Sequence, residues 1–196
     1  MFERFGFIDS GKIIPNKKKI WFHAVSVGET KAVIPLLKIF KQRHPDISII
    51  FSTTTYTGNK VAMGHGSEWL DSIIYFPLDF SWVIKRVVNK INPEALVVVE
   101  KEIWPNILNI LNNKGIPVIV VNGKISDRSF KRYVFFGFFF KSIFQNITFF
   151  CAQTNKDFER AAKIGIDPEK ICAAGNIKFD METPHISPSE KLGIMQ

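Results

Sequence analysis

WFHAVSVGE, residues 21–29, is the stretch whose reading decides the fold. A short apolar run breaks there into Ser-Val-Gly-Glu and then into a helical pattern, so the stretch reads as a strand, a tight turn and the start of a helix. Gly28 permits a backbone conformation or a close approach that a side chain would resist. Glu29 falls in the first helical turn, where unpaired N–H groups and the helix dipole favour an ionised carboxylate. Two readings of Glu29 stand side by side: a base aimed to accept a proton, or an acid that simply complements the helix dipole.

Downstream the same alternation repeats. Residues 29–43 place Val33, Leu36, Leu37 and Phe40 at helical spacing, with Pro35 as an irregularity that can kink the helix. Residues 47–53 form a second β-rich run that delivers Ser52, Thr53, Thr54, Thr55 and Tyr56 at its C-terminal end. In open α/β sheets ligands bind beyond the strand C-termini, so these hydroxyls are placed to grip phosphate or sugar, or else to cap a turn. Further strands are predicted over 73–76, 95–99, 117–121, 147–152 and 171–174, with helices over 80–91 and 155–164 and after Trp104. Strands alternating with helices, without hairpin signals, imply right-handed crossovers, a parallel sheet and helices on both faces. Upstream, residues 1–19 end in Lys17, Lys18 and Lys19 and read as an irregular leader. Residues 20–180 form the domain, and residues 181–196 read as an unpatterned linker or tail.

Composition bounds the function classes. A chain of 196 residues with 46% hydrophobic content suffices for one domain with a sizeable core and excludes general disorder. Lys and Arg number 26 against 18 Asp and Glu, a formal charge of +8, which points to an anionic partner: nucleic acid, a phosphorylated ligand or a membrane surface. The basic residues are scattered and match no nucleic-acid-binding motif, so nucleic acid is set aside. Cys151 and Cys172 lack metal-ligand spacing, which gives no support to a metal site and reads as two buried thiols in a reducing compartment. Residues 1–10 hold no continuous apolar core, so no signal peptide is expected and the chain is expected on the cytoplasmic side. Residues 130–150 contain nine of the 19 phenylalanines, interspersed with Lys131, Arg132 and Lys141. The run between Arg132 and Lys141 is too short for a bilayer span of about 20 residues, and a core-facing helix followed by a strand is favoured over membrane contact.

Four separated motifs carry a resemblance: HAVSVGE at 23–29, VEKEIWPN at 99–106, VNGKISDRS at 121–129 and AGNIKFD at 174–180. In this order they resemble the N-terminal half of 3-deoxy-D-manno-octulosonic acid (Kdo) transferase, over about residues 3–180. The resemblance implies a GT-B glycosyltransferase made of two Rossmann-like domains. The first would face the lipid A precursor (lipid IVA) as acceptor, and the second, absent from this sequence, would hold CMP-Kdo; this half alone would be inactive. It also implies a peripheral location on the cytoplasmic face of the bacterial inner membrane, against its anionic surface, without the family's usual N-terminal anchor, and no cofactor. By motif, Glu29 would be the proton acceptor, and Glu100 and Lys178 the groups that stabilise the transition state. Glu100 would either position Lys178 or favour a cation-like sugar. Ser26, Gly28, Thr54 and Lys124 would contact substrate, although Lys124 stands where arginine is typical and offers a point charge in place of a bidentate fork. EKE likewise departs from the usual ETE, and Glu102 can serve as a cap for the following helix. The alternative is a non-catalytic Rossmann-like module that binds anionic lipid or a partner.

Overall fold

Strand β4 (Ala95–Val99), with the sequence ALVVV, is buried at every position, which marks a strand covered on both faces. The structure, a computed structural model, describes residues 2–100 and 104–180. Around β4 lie β1 (Lys19–His23), β2 (Ser48–Thr53), β3 (Ser72–Tyr75), β5 (Val118–Gly123), β6 (Phe149–Ala152) and β7 (Ile171–Ala173). They form one parallel sheet in the order β3-β2-β1-β4-β5-β6-β7. The order reverses between β1 and β4, the kind of point where open α/β sheets bind ligands.

Among the described residues seven helices accompany the strands: α1 (Val27–Arg43), α2 (Tyr56–His65), α3 (Ser81–Ile91), α4 (Pro105–Asn113), α5 (Asp127–Phe135), α6 (Gly137–Phe144) and α7 (Asn155–Lys163). Side-chain alternation along the strands divides the core. Trp21, Ile50, Leu96 and Val98 pack against Ile84 and Val87 of α3 and Leu111 of α4. Phe22, Phe51, Val97 and Val99 pack on the other face against Val33 and Leu37 of α1 and Ala62 of α2. Val120 and Phe150 join Tyr133, Phe144 and Ala161 in a third cluster. The predicted parallel sheet with helices on both faces is therefore the fold, and α1 runs through Pro35 to Arg43.

Three readings change. The single helix expected after residue 130 is two short ones, α5 (Asp127–Phe135) and α6 (Gly137–Phe144), broken at Phe136. Only part of their aromatic content faces inward: Tyr133 and Phe144 are buried, whereas Phe135 is 81% and Phe138 100% exposed. Helix α2 was not legible in its glycine- and hydroxyl-rich sequence. It exists because Thr55 caps it, its side chain accepting from Gly58 N. The two cysteines are half-buried, not buried. They are register partners on β6 and β7, and burial together with the adjacent Cys172 pushes the Cys151 thiol up to about 12.

The leader is bound into the domain. Its 3-10 turns Phe2–Phe5 and Ser10–Lys12 lie along edge strand β3, with Ile8 buried. Glu3 Oε2 accepts from Tyr75 N at 3.0 Å, and Lys12 Nζ reaches both Glu3 Oε1 at 2.6 Å and the Ile73 carbonyl at 3.2 Å. Backbone groups of the sheet edge that would otherwise invite another strand are thereby occupied. Residues 181–196, expected as a linker or tail, lie outside the described residues, as do Lys101 and Glu102.

Candidate active site

Parallel strands send every strand C-terminus to one edge, so the loops that follow β1, β4, β5 and β7 meet there. After β1 the chain turns at Ser26, the N-cap of α1, whose Oγ accepts from Glu29 N at 3.2 Å. Glu29 reaches back, and its Oε2 accepts from Val25 N at 2.8 Å. This reciprocal pair is a close variant of a capping box and satisfies two otherwise orphaned donors. Thr54 and Thr55 donate to the Val25 carbonyl at 3.3 and 3.2 Å, which ties the β2–α2 turn to the β1–α1 turn.

Glu29 is only 6% exposed, yet one oxygen is uncommitted: among the described residues no hydrogen bond occupies Oε1, and Oε1 is not one of the fully enclosed orphan atoms. The two readings of Glu29 are therefore compatible. One oxygen hooks the carboxylate to the backbone, and the other carries no hydrogen bond among the described residues. Gly28 is exposed, its φ is not in the left-handed region, and a Cβ there would meet only Ser26 Oγ at 3.9 Å. The special backbone conformation considered for Gly28 is not used, and nothing among the described residues requires the missing side chain.

Glu100 follows β4 with φ +67°, a left-handed conformation that is costly for a residue with a long side chain. Its backbone N–H donates to the Val121 carbonyl at 2.9 Å, and the reversal leaves the carboxylate buried, 7% exposed, at the strand end. Lys178 arrives from the 3-10 turn Ile177–Asp180 after β7 and places Nζ 2.6 Å from Glu100 Oε1. That turn packs against α1, and Ile177 joins the core beside Phe22 and Val33. Of the two roles considered for Glu100, the geometry is that of a carboxylate holding Lys178. The lysine is half-exposed and Phe179 beside it is 87% exposed, so the ammonium stands at an open surface.

The remaining candidates separate. Thr54 spends its hydroxyl on the Val25 carbonyl and thereby serves the turn. Lys124 is exposed, and no hydrogen bond or ion pair involves it among the described residues. Asn106 is structural: Asp79 caps α4 from a distance, accepting from Asn106 N and Ile107 N at 2.9 Å each. Burial raises the Asp79 pKa against those hydrogen bonds. No cluster of three or more His, Cys, Asp or Glu side chains suited to a metal occurs among the described residues.

Two residues gain weight that the sequence did not assign them. His23 is wholly buried and stacks on Phe76 at 3.8 Å between ring centroids. Its Nδ1 lies 3.0 Å from both the Ser52 carbonyl and the Ser52 Oγ; since a carbonyl only accepts, Nδ1 carries the proton, and Nε2 has no hydrogen-bond partner among the described residues. Burial lowers its pKa to about 3, partly opposed by the Ser52 bond, so the ring is neutral. Asn122, at φ +56° and 2% exposed, contacts both Glu100 and the Lys178 turn. Its signal was the Asn-Gly pair closing β5, since both residues tolerate left-handed backbone. Gly123 itself is required by packing, because a Cβ there would lie 2.3 Å from Phe150 Cζ.

A parallel sheet with this reversal, an acid at the first helix N-terminus and an ion pair across the strand ends, is the Rossmann-like half of a GT-B fold. A Staphylococcus aureus MnaA–UDP co-structure shares it, with a TM-score of 0.64 at 13% identity over 90% of this chain and 51% of that one. The Neisseria meningitidis UDP-GlcNAc 2-epimerase bound to UDP-GlcNAc gives 0.56 at 14% identity, over 83% and 48%. The sequence narrows the class: the chain belongs to the 3-deoxy-D-manno-octulosonic-acid transferase (kdotransferase) family, whose profile matches residues 1–181. It is 36% identical to the 3-deoxy-D-manno-octulosonic acid transferase of Haemophilus influenzae, over 92% of this chain and 42% of that protein. It is 39% identical to a bifunctional glycosyltransferase/methyltransferase of Fusobacterium nucleatum, over 91% and 28%. The chain thus spans less than half the length of these relatives.

Proposed function

We propose that this chain supplies the acceptor-side half of a Kdo transferase, an enzyme that moves Kdo from CMP-Kdo to the lipid A precursor, lipid IVA. The observation that carries the reading is the juxtaposition at one sheet edge of an oriented carboxylate, Glu29, with the Glu100–Lys178 ion pair. In this reading Glu29 Oε1 takes the proton from the acceptor hydroxyl as its oxygen bonds to the anomeric carbon and the bond from that carbon to CMP breaks. Lys178, held by Glu100, offsets the negative charge of the donor's phosphate and carboxylate groups, an electrostatic contribution that a fixed cation makes without reorganisation. Ser26 and Thr54 shape the turn that presents Glu29. Gly28 leaves room for the acceptor, and Lys124 is an exposed cation for an acceptor phosphate.

The donor site belongs to the remainder of the full-length relatives, so the chain alone does not turn over. Peripheral binding to the anionic cytoplasmic face of the bacterial inner membrane fits the same reading. No described helix is long and apolar enough to cross a membrane, whereas Phe135, Phe136, Phe138 and Phe139 are more than half exposed beside Lys131 and Arg132. A purely binding module would share this surface but would not need Glu29.

The test is a fusion of this chain to the donor half of a full-length relative, assayed for CMP-Kdo turnover onto lipid IVA. Glu29→Gln is expected to lower turnover by about 100- to 10,000-fold, the usual worth of a positioned base, while acceptor binding persists. Unchanged turnover in that variant returns Glu29 to a capping role.

A further inference from the structure

Asn122 holds four strand ends together. Its side-chain Nδ2 donates to Glu100 Oε1 at 3.4 Å, after β4, and its Oδ1 accepts from Ile177 N at 3.2 Å, in the turn after β7. Its own carbonyl, in β5, accepts from Gln153 Nε2 at 3.0 Å, after β6. The amide therefore touches both members of the Glu100–Lys178 pair's support: the carboxylate directly, and the lysine through the residue before it.

The backbone explains why the amide can do this. Glu100 and Asn122 both adopt left-handed φ, at the ends of adjacent strands whose partners run Val98↔Val120 and Val99↔Val121. Each reversal lifts a side chain over the edge of the sheet, and asparagine tolerates that conformation better than most residues. An amide is also the side chain that offers a donor to a carboxylate on one side and an acceptor to a backbone N–H on the other. A leucine would fill the space and satisfy neither, and the site is too buried for water to substitute freely.

We infer that Asn122 is the positioning residue for Lys178: it fixes the Glu100 carboxylate and the first residue of the Lys178 turn in register, so that the ammonium is presented at one place above the sheet edge. It does not touch substrate. Its catalytic consequence rests on the glycosyl-transfer reading, whereas its local consequence does not.

Two variants separate the parts. Asn122→Gly keeps left-handed backbone accessible and deletes the amide; Asn122→Asp keeps an acceptor for Ile177 N and deletes the donor to Glu100. In this 196-residue chain, amide exchange of Ile177 is expected to quicken about ten-fold or more in Asn122→Gly and to stay near wild type in Asn122→Asp. Acylation of Lys178 by an amine-reactive ester, mapped by mass spectrometry, is expected to quicken several-fold in Asn122→Gly. Exchange at Phe22 is the control for global opening. In the donor-half fusion, Asn122→Gly is expected to lower kcat about ten-fold or more and leave the acceptor KM unchanged.

Wild-type exchange and acylation in Asn122→Gly overturn the inference whatever the turnover, as does altered exchange with full kcat. Altered exchange and acylation in a fusion that turns over with no variant, wild type included, uphold the positioning and count against the glycosyl-transfer reading alone. Should Asn122→Gly not fold, slower turnover with Ile177 still protected in Asn122→Asp upholds the contact to Glu100, and wild-type turnover there overturns it.

Discussion

On the β3–β2–β1 flank both faces of the sheet are deeply covered: Trp21, Ile50 and Ile74 on one side, Phe22, Ile49 and Phe51 on the other, none more than 2% exposed, with Ile20, Ile73 and Tyr75 half-buried beside the latter. On the β5–β6–β7 flank Val118, Val120, Phe150 and Ile171 are buried on one face. The opposite face leaves Ile119, Val121, Cys151 and Cys172 half-buried and Phe149 37% exposed. Parallel sheets are ordinarily covered on both sides, so the two flanks differ in how far the described residues complete them. The candidate chemistry divides along the same line. Glu29 is mounted on the deeply covered flank, where the turn after β1 is tied to that after β2. Lys178 comes from the other flank, carried by a three-residue strand; its ammonium pairs with Glu100, and Asn122 accepts from the backbone of Ile177 just before it.

The most forceful way to break this contrast is to truncate one aromatic on each flank. Trp21→Ala is expected to cost about 3–5 kcal/mol in urea unfolding, because it empties a fully packed site and removes the hydrogen bond from its Nε1 to the Ser52 hydroxyl. Phe149→Ala is expected to cost about 1 kcal/mol or less, since much of its ring already meets solvent. Equal costs would erase the difference between the flanks.

A smaller effect, on acidification, sharpens it. His23 has its pKa lowered to about 3 in the folded chain from an ordinary value of 6.5. The unfolded chain therefore binds the extra proton first, and the stability this neutral ring confers is complete above pH 6.5 and lost as pH falls from there towards 3. At about 1.4 kcal/mol per pKa unit, a few kcal/mol are at stake. Asp79, whose pKa is raised, acts in the opposite sense, gaining a proton more readily when folded. Comparing the pH dependence of wild type with that of His23→Gln isolates the histidine. A variant as steeply pH-dependent between 6 and 4 as wild type would show that His23 is not the sensor.

Least costly to the fold should be the double change Phe135→Ser and Phe138→Ser, within about 0.5 kcal/mol of wild type. The same variant is expected to lose recovery with anionic vesicles in a co-sedimentation assay, while neutral vesicles recover little of either protein. Unaltered recovery would leave these side chains without a role at a membrane surface.

What the sequence disclosed follows the same physics. The buried strands and the α1, α3 and α7 patterns were legible because burial imposes a period, and the four motifs fell at strand ends because that is where a parallel sheet turns. Helix α2 was not legible, since its existence depends on a Thr55 cap and not on an apolar stripe. The exposure of Phe135 and Phe138 was hidden because composition does not say where a helix breaks. Glu29, Glu100 and Lys178 were identified by motif, but the hook at Val25 and the 2.6 Å ion pair needed coordinates, as did the role of Asn122, whose contacts are 22 and 55 residues distant in the chain.

The reversal of strand order has a consequence in time. Ile20 pairs with Ile49 on one side and Ala95 on the other, so β1 finds its second neighbour only after β2, α2, β3 and α3 have been made. Until Ala95 leaves the ribosome, β1 presents a bare apolar edge on a three-stranded intermediate, and closing a distant parallel contact is slow compared with forming local helices. The point in the sheet where the candidate site is assembled is thus also where the nascent chain is most exposed to mispairing. Chaperone demand during synthesis should fall sharply once β4 has docked.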